Sequence, residues 1–203
     1  QFTNWYPQLV PYQPGRGWLR WDTSNVGPPL MAEVADYELE IKAPSGVVVA
    51  SGGPVDHKGN TWEFMLENAR SIAFSASPDY KVRTQTSDST TLFVYHLPGH
   101  AAEAEAVTKA ATQSLALFNE QFGTYPYKSL VIAQNAYLPS VAAGGFILHT
   151  GQGFEQYTGH PGTLLIVLLP LTMAQLWWGQ IVGHNPISEP WLGAALPMYA
   201  EYL

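Results

Sequence analysis

The sequence is organised around the segment LTMAQLWWG, which occupies residues 171–179 in the middle of a long uncharged stretch. Residues 162–183 contain no Asp, Glu, Lys or Arg. A stretch of about 20 apolar residues is long enough to cross a bilayer. Pro170, Gln175 and Gln180 interrupt this one, however, and its flanks carry no excess of Lys or Arg. We therefore predict a buried core helix here rather than a membrane span.

The composition narrows the possible functions. The chain has 203 residues, enough for one large domain or two small ones. Its formal net charge is -7 and no Lys or Arg cluster is present, which argues against a nucleic-acid partner. It contains no cysteine, so disulfides, thiolate catalysis and cysteine metal sites are excluded. It opens without Met and without a visible signal peptide, and we expect it to be a fragment of a longer chain.

Residues 1–98 carry the pattern of short strands. The first 30 residues are broken by Pro and Gly and are expected to form loops. From residue 33 apolar and polar residues alternate with period two, which predicts strands near 37–41, 62–66 and 90–96, with short apolar strands at 47–50 and 72–74. Many short strands separated by turn residues indicate an antiparallel β domain.

Residues 99–203 have a different pattern. Apolar residues at helical spacing predict a helix over 101–122 that ends at Gly123, followed by a strand over 130–133. Residues 191–203 predict a last amphipathic helix, with Pro197 as a possible kink. The predicted fold class is therefore α+β, with the domain boundary near residue 98.

Several segments at matching positions carry a resemblance to a known family. They are NWYP and PGRGW in the first 18 residues, SPDY at 77–80, FGTYPY at 122–127, GGFIL at 144–148, WW at 177–178 and EPWL at 189–192. Together they resemble the zinc aminopeptidases of the membrane-alanyl-aminopeptidase family, which are gluzincins. The resemblance implies that residues 1–98 are the C-terminal part of the family's N-terminal β domain. It implies that residues 99–203 are a truncated thermolysin-like α+β domain.

The residues that carry the family's chemistry are replaced. The family's helix reads H-E-x-x-H-Q-W-W/F, and a distal Glu follows with eighteen residues between it and the second His, as between Gln175 and Ala194. The resemblance places Leu171 and Gln175 at the two His positions, Thr172 at the Glu position and Ala194 at the distal Glu position. A catalytic zinc needs three protein ligands, yet Leu and Ala offer no donor atom and Gln is a poor donor. Thr cannot act as a general base near neutral pH. We expect no zinc or other cofactor.

The resemblance also assigns a specificity element. Gly144, Gly145, Phe146, Ile147 and Leu148 resemble the family's G-G-M-E-x edge strand, in which the Glu holds the substrate's free α-amino group. Ile147 stands at the Glu position, and an apolar side chain cannot counter a buried ammonium charge. The family's catalytic Tyr would lie beyond residue 203.

Two other candidate sites are weaker. His96 and His100 have helical spacing, but Pro98 and Gly99 between them exclude a helix. His149 is the best candidate for a polar residue of the cleft, while Ser140 has no base beside it in sequence.

The predicted function is a non-catalytic, aminopeptidase-like module that binds a peptide or protein segment, or that scaffolds neighbouring domains of a longer parent chain. Neither a membrane nor a nucleic acid is a predicted partner. The edge strand would accept a peptide by β-augmentation. The predicted binding groove comprises Gly144, Gly145, Phe146, Ile147, Leu148, His149, Leu171, Gln175 and Ala194.

Two alternatives stay open. One is an active zinc aminopeptidase whose ligands come from elsewhere in the chain or from a partner chain. The other is a structural part of a membrane or surface assembly that uses the uncharged helix as an anchor. The residues leave the compartment open, and the resemblance alone implies an extracytoplasmic or membrane-tethered parent.

Overall fold

The computed structural model describes residues 2–3, 5–18, 32–136, 139–186 and 188–203. Near the N-terminus, strands β1 (Tyr12–Gln13) and β2 (Gly17–Trp18) form a short antiparallel hairpin where loops were expected. Asn4 of the resembling NWYP segment, and the predicted loop over residues 19–30, lie outside the described residues.

The next five strands form two antiparallel sheets. They are β3 (Ala35–Lys42), β4 (Val48–Ser51), β5 (Val55–Lys58), β6 (Thr61–Ala69) and β7 (Phe74–Ser77). One sheet has the order β3-β6-β5 and the other pairs β4 with β7. Leu39, Phe64 and Leu66 point into the core between exposed neighbours, so the predicted period-two pattern is confirmed.

A mixed five-stranded sheet follows. Its strands are β8 (Lys81–Ser87), β9 (Thr90–His96), β10 (Ser129–Gln134), β11 (Val141–Ala143) and β12 (Phe146–His149). Their order is β11-β12-β10-β9-β8, with β10 parallel to both of its neighbours. Every residue of β10 is buried, as is typical of a central parallel strand. The sheet continues across the boundary predicted near residue 98, because β8 and β9 are joined to β10.

The helices agree with the sequence in part. The first, α1 (Ala101–Phe122), has the predicted bounds and ends at Gly123, whose φ of 101° suits glycine. A short α2 (Gly151–Glu155) precedes α3 (Leu164–Trp177), which occupies the uncharged stretch. The helix predicted over residues 191–203 is confirmed in part: α4 (Ala195–Glu201) lies within it and contains Pro197, and a 3-10 helix (Pro190–Gly193) takes the place of its start.

The fold class is therefore α+β, as predicted. Of the helices in the described ranges, none combines the length and the apolar character that a membrane crossing requires.

The two faces of the mixed sheet are covered by different layers. Leu130, Ile132 and Ile147 pack against α1 and α3 in one core cluster. Val131 and Phe146 belong to a second cluster on the opposite face, which also includes residues that precede the mixed sheet in the chain. The sheet thus separates a helical layer from a β layer.

Two of the family-like segments contact each other in the helical layer. Trp177 is buried and its Nε1–H donates a hydrogen bond of 2.9 Å to the carbonyl oxygen of Gly123. Its ring also packs on those of Phe118 and Tyr125. The WW and FGTYPY segments therefore join the C-terminal ends of α3 and α1, which fixes α3 beside the sheet.

Candidate functional site

A cavity of about 490 Å³ opens where four parts of the chain meet. Its walls include the edge strand β11, the segment 70–73 that follows β6, and the C-terminal end of α3. Residues of the chain between 179 and 194 complete it. Ligand sites are commonly concave and of about 300–1,000 Å³, so this cavity is the candidate site.

Two of the four positions that the resemblance assigned to zinc chemistry line the cavity. Gln175 lines it from α3 and Ala194 from the start of α4. Leu171 is half-buried one turn before Gln175 and is not among the lining residues.

Thr172 is directed elsewhere. It is only 3% exposed, and its Oγ1–H donates a hydrogen bond of 2.8 Å to the carbonyl oxygen of Leu168 in the preceding turn. A hydroxyl that bonds back to its own helix is in a common structural arrangement. The hydroxyl of Thr172, which the resemblance places at the general-base position, is therefore bonded to the backbone of α3.

The structure corrects the predicted edge strand. The edge strand is β11, and Ile147 lies on the inner strand β12, where it is fully buried and paired in register with Ile132 and Ala142. Gly144 and Gly145 form the turn between the two strands. Residues 146–149 are all at most 3% exposed and do not line the cavity.

The two glycines explain why the edge strand is β11 and not β12. A Cβ at Gly144 would collide with the carbonyl oxygen of Ser71, and Gly145 has a φ of 65°. The chain therefore reverses at this point, and the edge strand precedes the glycines instead of following them. All three residues of β11 line the cavity, and Ala142 is the one that lies opposite Ile147.

His149 and Ser140 form a pair that the sequence did not reveal. His149 Nε2 lies 2.6 Å from the carbonyl oxygen of Leu165, so it carries the proton, and Nδ1 accepts a hydrogen bond of 3.2 Å from Ser140 Oγ. Burial lowers the pKa of His149 to about 4. A general base works best with a pKa near the operating pH, so this imidazole is poorly suited to activating the serine. The pair instead ties β12 to α3.

Arg70 is the residue of the cavity wall that sequence reasoning missed. Its side chain is half-buried, and Nη1 donates a hydrogen bond of 2.9 Å to the carbonyl oxygen of Ala32. Its Nε–H is buried without a hydrogen-bond partner, as is the indole Nε1–H of Trp178, another lining residue. The sequence did offer one signal for Arg70: the chain has only nine Lys and Arg residues, and this one directly follows an alternating strand.

The described ranges contain no group of three or more His, Cys, Asp or Glu side chains arranged to hold a metal ion.

Comparison with known proteins gives one distant match. No family model matches the chain. Aminopeptidase N of Streptomyces lividans is 25% identical over 189 residues, which cover 82% of this chain and 21% of that protein. The chain is distantly similar to an aminopeptidase. It spans about a fifth of the length of that relative.

Proposed function

We propose that this chain is a non-catalytic, aminopeptidase-like module whose cavity binds an extended peptide segment. The observation that carries the proposal is that Gln175 and Ala194 line an open cavity at positions where the related enzymes hold metal ligands. A neutral amide and a methyl group leave the shape of a peptidase cleft without its charges.

The side chains at the site argue against hydrolysis. A zinc peptidase uses the metal to polarise the carbonyl and to activate water, and it needs a fixed ligand set for both. Ala194 has no donor atom, and the hydroxyl of Thr172 is bonded to its own helix. Neither residue can replace a carboxylate in that chemistry.

The edge strand supports a peptide ligand. β11 occupies one end of the mixed sheet and is paired only with β12 among the described strands. An extended peptide can add to such an edge through main-chain hydrogen bonds. The peptide would then lie between Ala142 on β11 and Gln175 on α3, inside the cavity.

The test is calorimetric titration of the chain with short peptides whose termini are blocked or free, together with a variant that fills the cavity. We expect Ala194→Phe to weaken peptide binding at least about tenfold because its ring would occupy the space the peptide needs. Ala101→Phe, at an exposed position at the start of α1, is the matched control and should bind as the unaltered chain does. Absence of heat from every peptide would reject peptide binding and leave only a scaffolding role.

The rival function, an active zinc aminopeptidase, makes the opposite prediction. It requires stoichiometric zinc by elemental analysis and chelator-sensitive hydrolysis of an aminoacyl anilide, and both findings together would reject our proposal. We also expect the fourfold change Leu171→His, Thr172→Glu, Gln175→His and Ala194→Glu to restore no hydrolysis. Thr172 is buried and directed away from the cavity, so a Glu there would be an unpaired buried charge.

A further inference from the structure

Arg70 is a cation of the cavity wall. A guanidinium carries five N–H donors in a planar fork. Within the described residues only Nη1 has a hydrogen-bond partner, the carbonyl oxygen of Ala32, and Nε is enclosed by protein without one. A ligand in the cavity can therefore reach the guanidinium only at its Nη1 and Nη2 groups, where it would replace water as the acceptor.

No described carboxylate neutralises this cation. Three other basic residues of the described chain do have partners: Lys42 lies 3.2 Å from Glu40, Lys58 lies 2.7 Å from Asp56, and Arg83 lies 3.8 Å from Glu105. Arg70 has no such ion pair within the described ranges, and the described residues that line the cavity include no Asp or Glu. The described lining of the cavity thus carries a guanidinium and no carboxylate in a chain of net charge -7.

Among the described residues that line the cavity, the one other titratable group is His184. Burial lowers the pKa of His184, Glu189 acts in the opposite direction, and Arg70 lowers it by a smaller amount. Glu189 is exposed and is not among the lining residues. The wall therefore holds a permanent positive charge beside a ring that favours its neutral form.

The guanidinium is held against the backbone of residue 183, in the wall of the cavity that β11 also lines. A Cβ at Gly183 would collide with its Cζ, Nε and Nη2 atoms, so the backbone at residue 183 lies directly against it. Next to Arg70 in sequence, the carbonyl oxygen of Ser71 accepts a hydrogen bond of 3.2 Å from Gly144 N. This bond occupies the edge of the sheet just after β11, so a peptide paired with β11 must end there.

We propose that Arg70 binds the C-terminal carboxylate of a peptide that is paired with β11. The guanidinium fork matches the two oxygens of a carboxylate, and such charge-assisted pairs are the stronger hydrogen bonds of proteins. The bond between Gly144 N and the Ser71 carbonyl closes the sheet edge one residue from Arg70 in sequence, so a peptide that runs parallel to β11 would bring its C-terminus towards the guanidinium. This inference rests on the proposed peptide-binding function and adds the chemical group that the cavity recognises.

The experiment compares three peptides in calorimetric titrations of the whole 203-residue chain. They are acetyl-trialanine with a free C-terminus, the same peptide with a C-terminal amide, and an acetylated, amidated peptide whose central residue is Glu. We expect the free C-terminus to bind at least about tenfold more tightly than the amide. Tighter binding of the Glu peptide than of the free C-terminus would overturn the assignment to a chain terminus.

Substitutions of Arg70 and of the glycine beside it form the second part of the experiment. Arg70→Gln should remove the preference for the free C-terminus, and Arg70→Lys should restore only part of it, because a lysine keeps the charge but loses the fork. Gly183→Ala displaces the guanidinium without removing it and should lower the same preference, which guards against misfolding of the Arg70 variants. Arg83→Gln, at a partly exposed arginine paired with Glu105, is the control and should change nothing.

The outcomes separate this inference from the proposed function. Equal binding of the free and amidated peptides, unchanged by Arg70→Gln, would overturn the carboxylate assignment and leave peptide binding intact. Absence of binding by all three peptides would reject both. A preference for the free C-terminus that survives Arg70→Gln in a folded variant would also overturn the role of Arg70.

Discussion

Acidification should destabilise this protein through one buried imidazole. His149 is fully buried, and its Nε2–H donates to the carbonyl oxygen of Leu165 at 2.6 Å. Burial lowers the pKa of His149 from its ordinary value of 6.5 to about 4. In the unfolded chain the same ring takes up a proton below about pH 6.5. The unfolded state therefore binds more protons between these two pH values, and the free energy of unfolding falls as the pH falls.

The pKa difference sets the size of the effect. Each pH unit between the two pKa values corresponds to about 1.4 kcal/mol, so the whole interval corresponds to about 3 kcal/mol. The contribution of His149 is complete above about pH 6.5 and is lost by about pH 4. For a domain with an unfolding free energy of about 5–15 kcal/mol, this is a large fraction of the total.

The assay is denaturant unfolding at a series of pH values, with His149→Gln as the variant that cannot titrate. We expect the variant to start less stable, because it loses the bond to Leu165, but to lose about 3 kcal/mol less than the unaltered chain on acidification. His160→Gln changes an exposed histidine and should follow the unaltered chain. Equal acid sensitivity of the His149 variant, or an imidazole that titrates near pH 6.5 by NMR, would refute the reasoning.

Two further predictions test the packing around the site. Met173→Ala empties a fully buried position on α3 and should lower the unfolding free energy by about 2–5 kcal/mol, whereas Met198→Ala, at 54% exposure, should change it by less than about 0.5 kcal/mol. Gly144→Ala places a Cβ against the backbone oxygen of Ser71 and should cost about 1–3 kcal/mol in the same measurement. Its control, Gly59→Ala, meets open space and carries only the cost of its φ of 61°, so an equal loss would argue against a close approach at Gly144.

Hydrophobic periodicity predicted the elements that bury a single face, because the spacing of the buried residues differs between a helix and a strand. The apolar spacing over α1 matches its buried face, and the helix ends where Gly123 permits a positive φ. In β6, Phe64 and Leu66 point inward between exposed neighbours. Such segments bury one face, and the period of that face identifies the element.

Other elements leave no such signal. β8 (Lys81–Ser87) has no buried residue, and it belongs to the sheet only through its backbone pairing with β9. Hydrophobic alternation cannot reveal a strand that buries no side chain. The parallel pairing of β10 with β9 and β12 was also missed, because an apolar run does not tell which strands will flank it.

The residues of the predicted groove lie together only in part. Gln175 and Ala194, which the resemblance placed at metal-ligand positions, line one cavity, whereas Leu171, one helical turn from Gln175, does not. Ile147 was assigned to the wrong strand because a glycine pair can precede or follow an edge strand, and the pairing of β11 with β12 shows that the pair follows it here. Arg70 was not predicted to line the cavity, because its position there depends on contacts between segments that are distant in sequence.

The side chains that the structure places at the cavity favour a bound anion over a bound cation. An aminopeptidase must hold an ammonium group, which requires a negative charge or acceptors at the end of its cleft. Here the residue of β11 opposite Ile147 is Ala142, and the guanidinium of Arg70 stands in the same cavity. Like charges repel more strongly where burial reduces solvent screening, so an amino terminus is disfavoured beside Arg70. The same charge favours a carboxylate, so under the proposed function the absence of aminopeptidase chemistry and the binding of a carboxylate would share one physical cause.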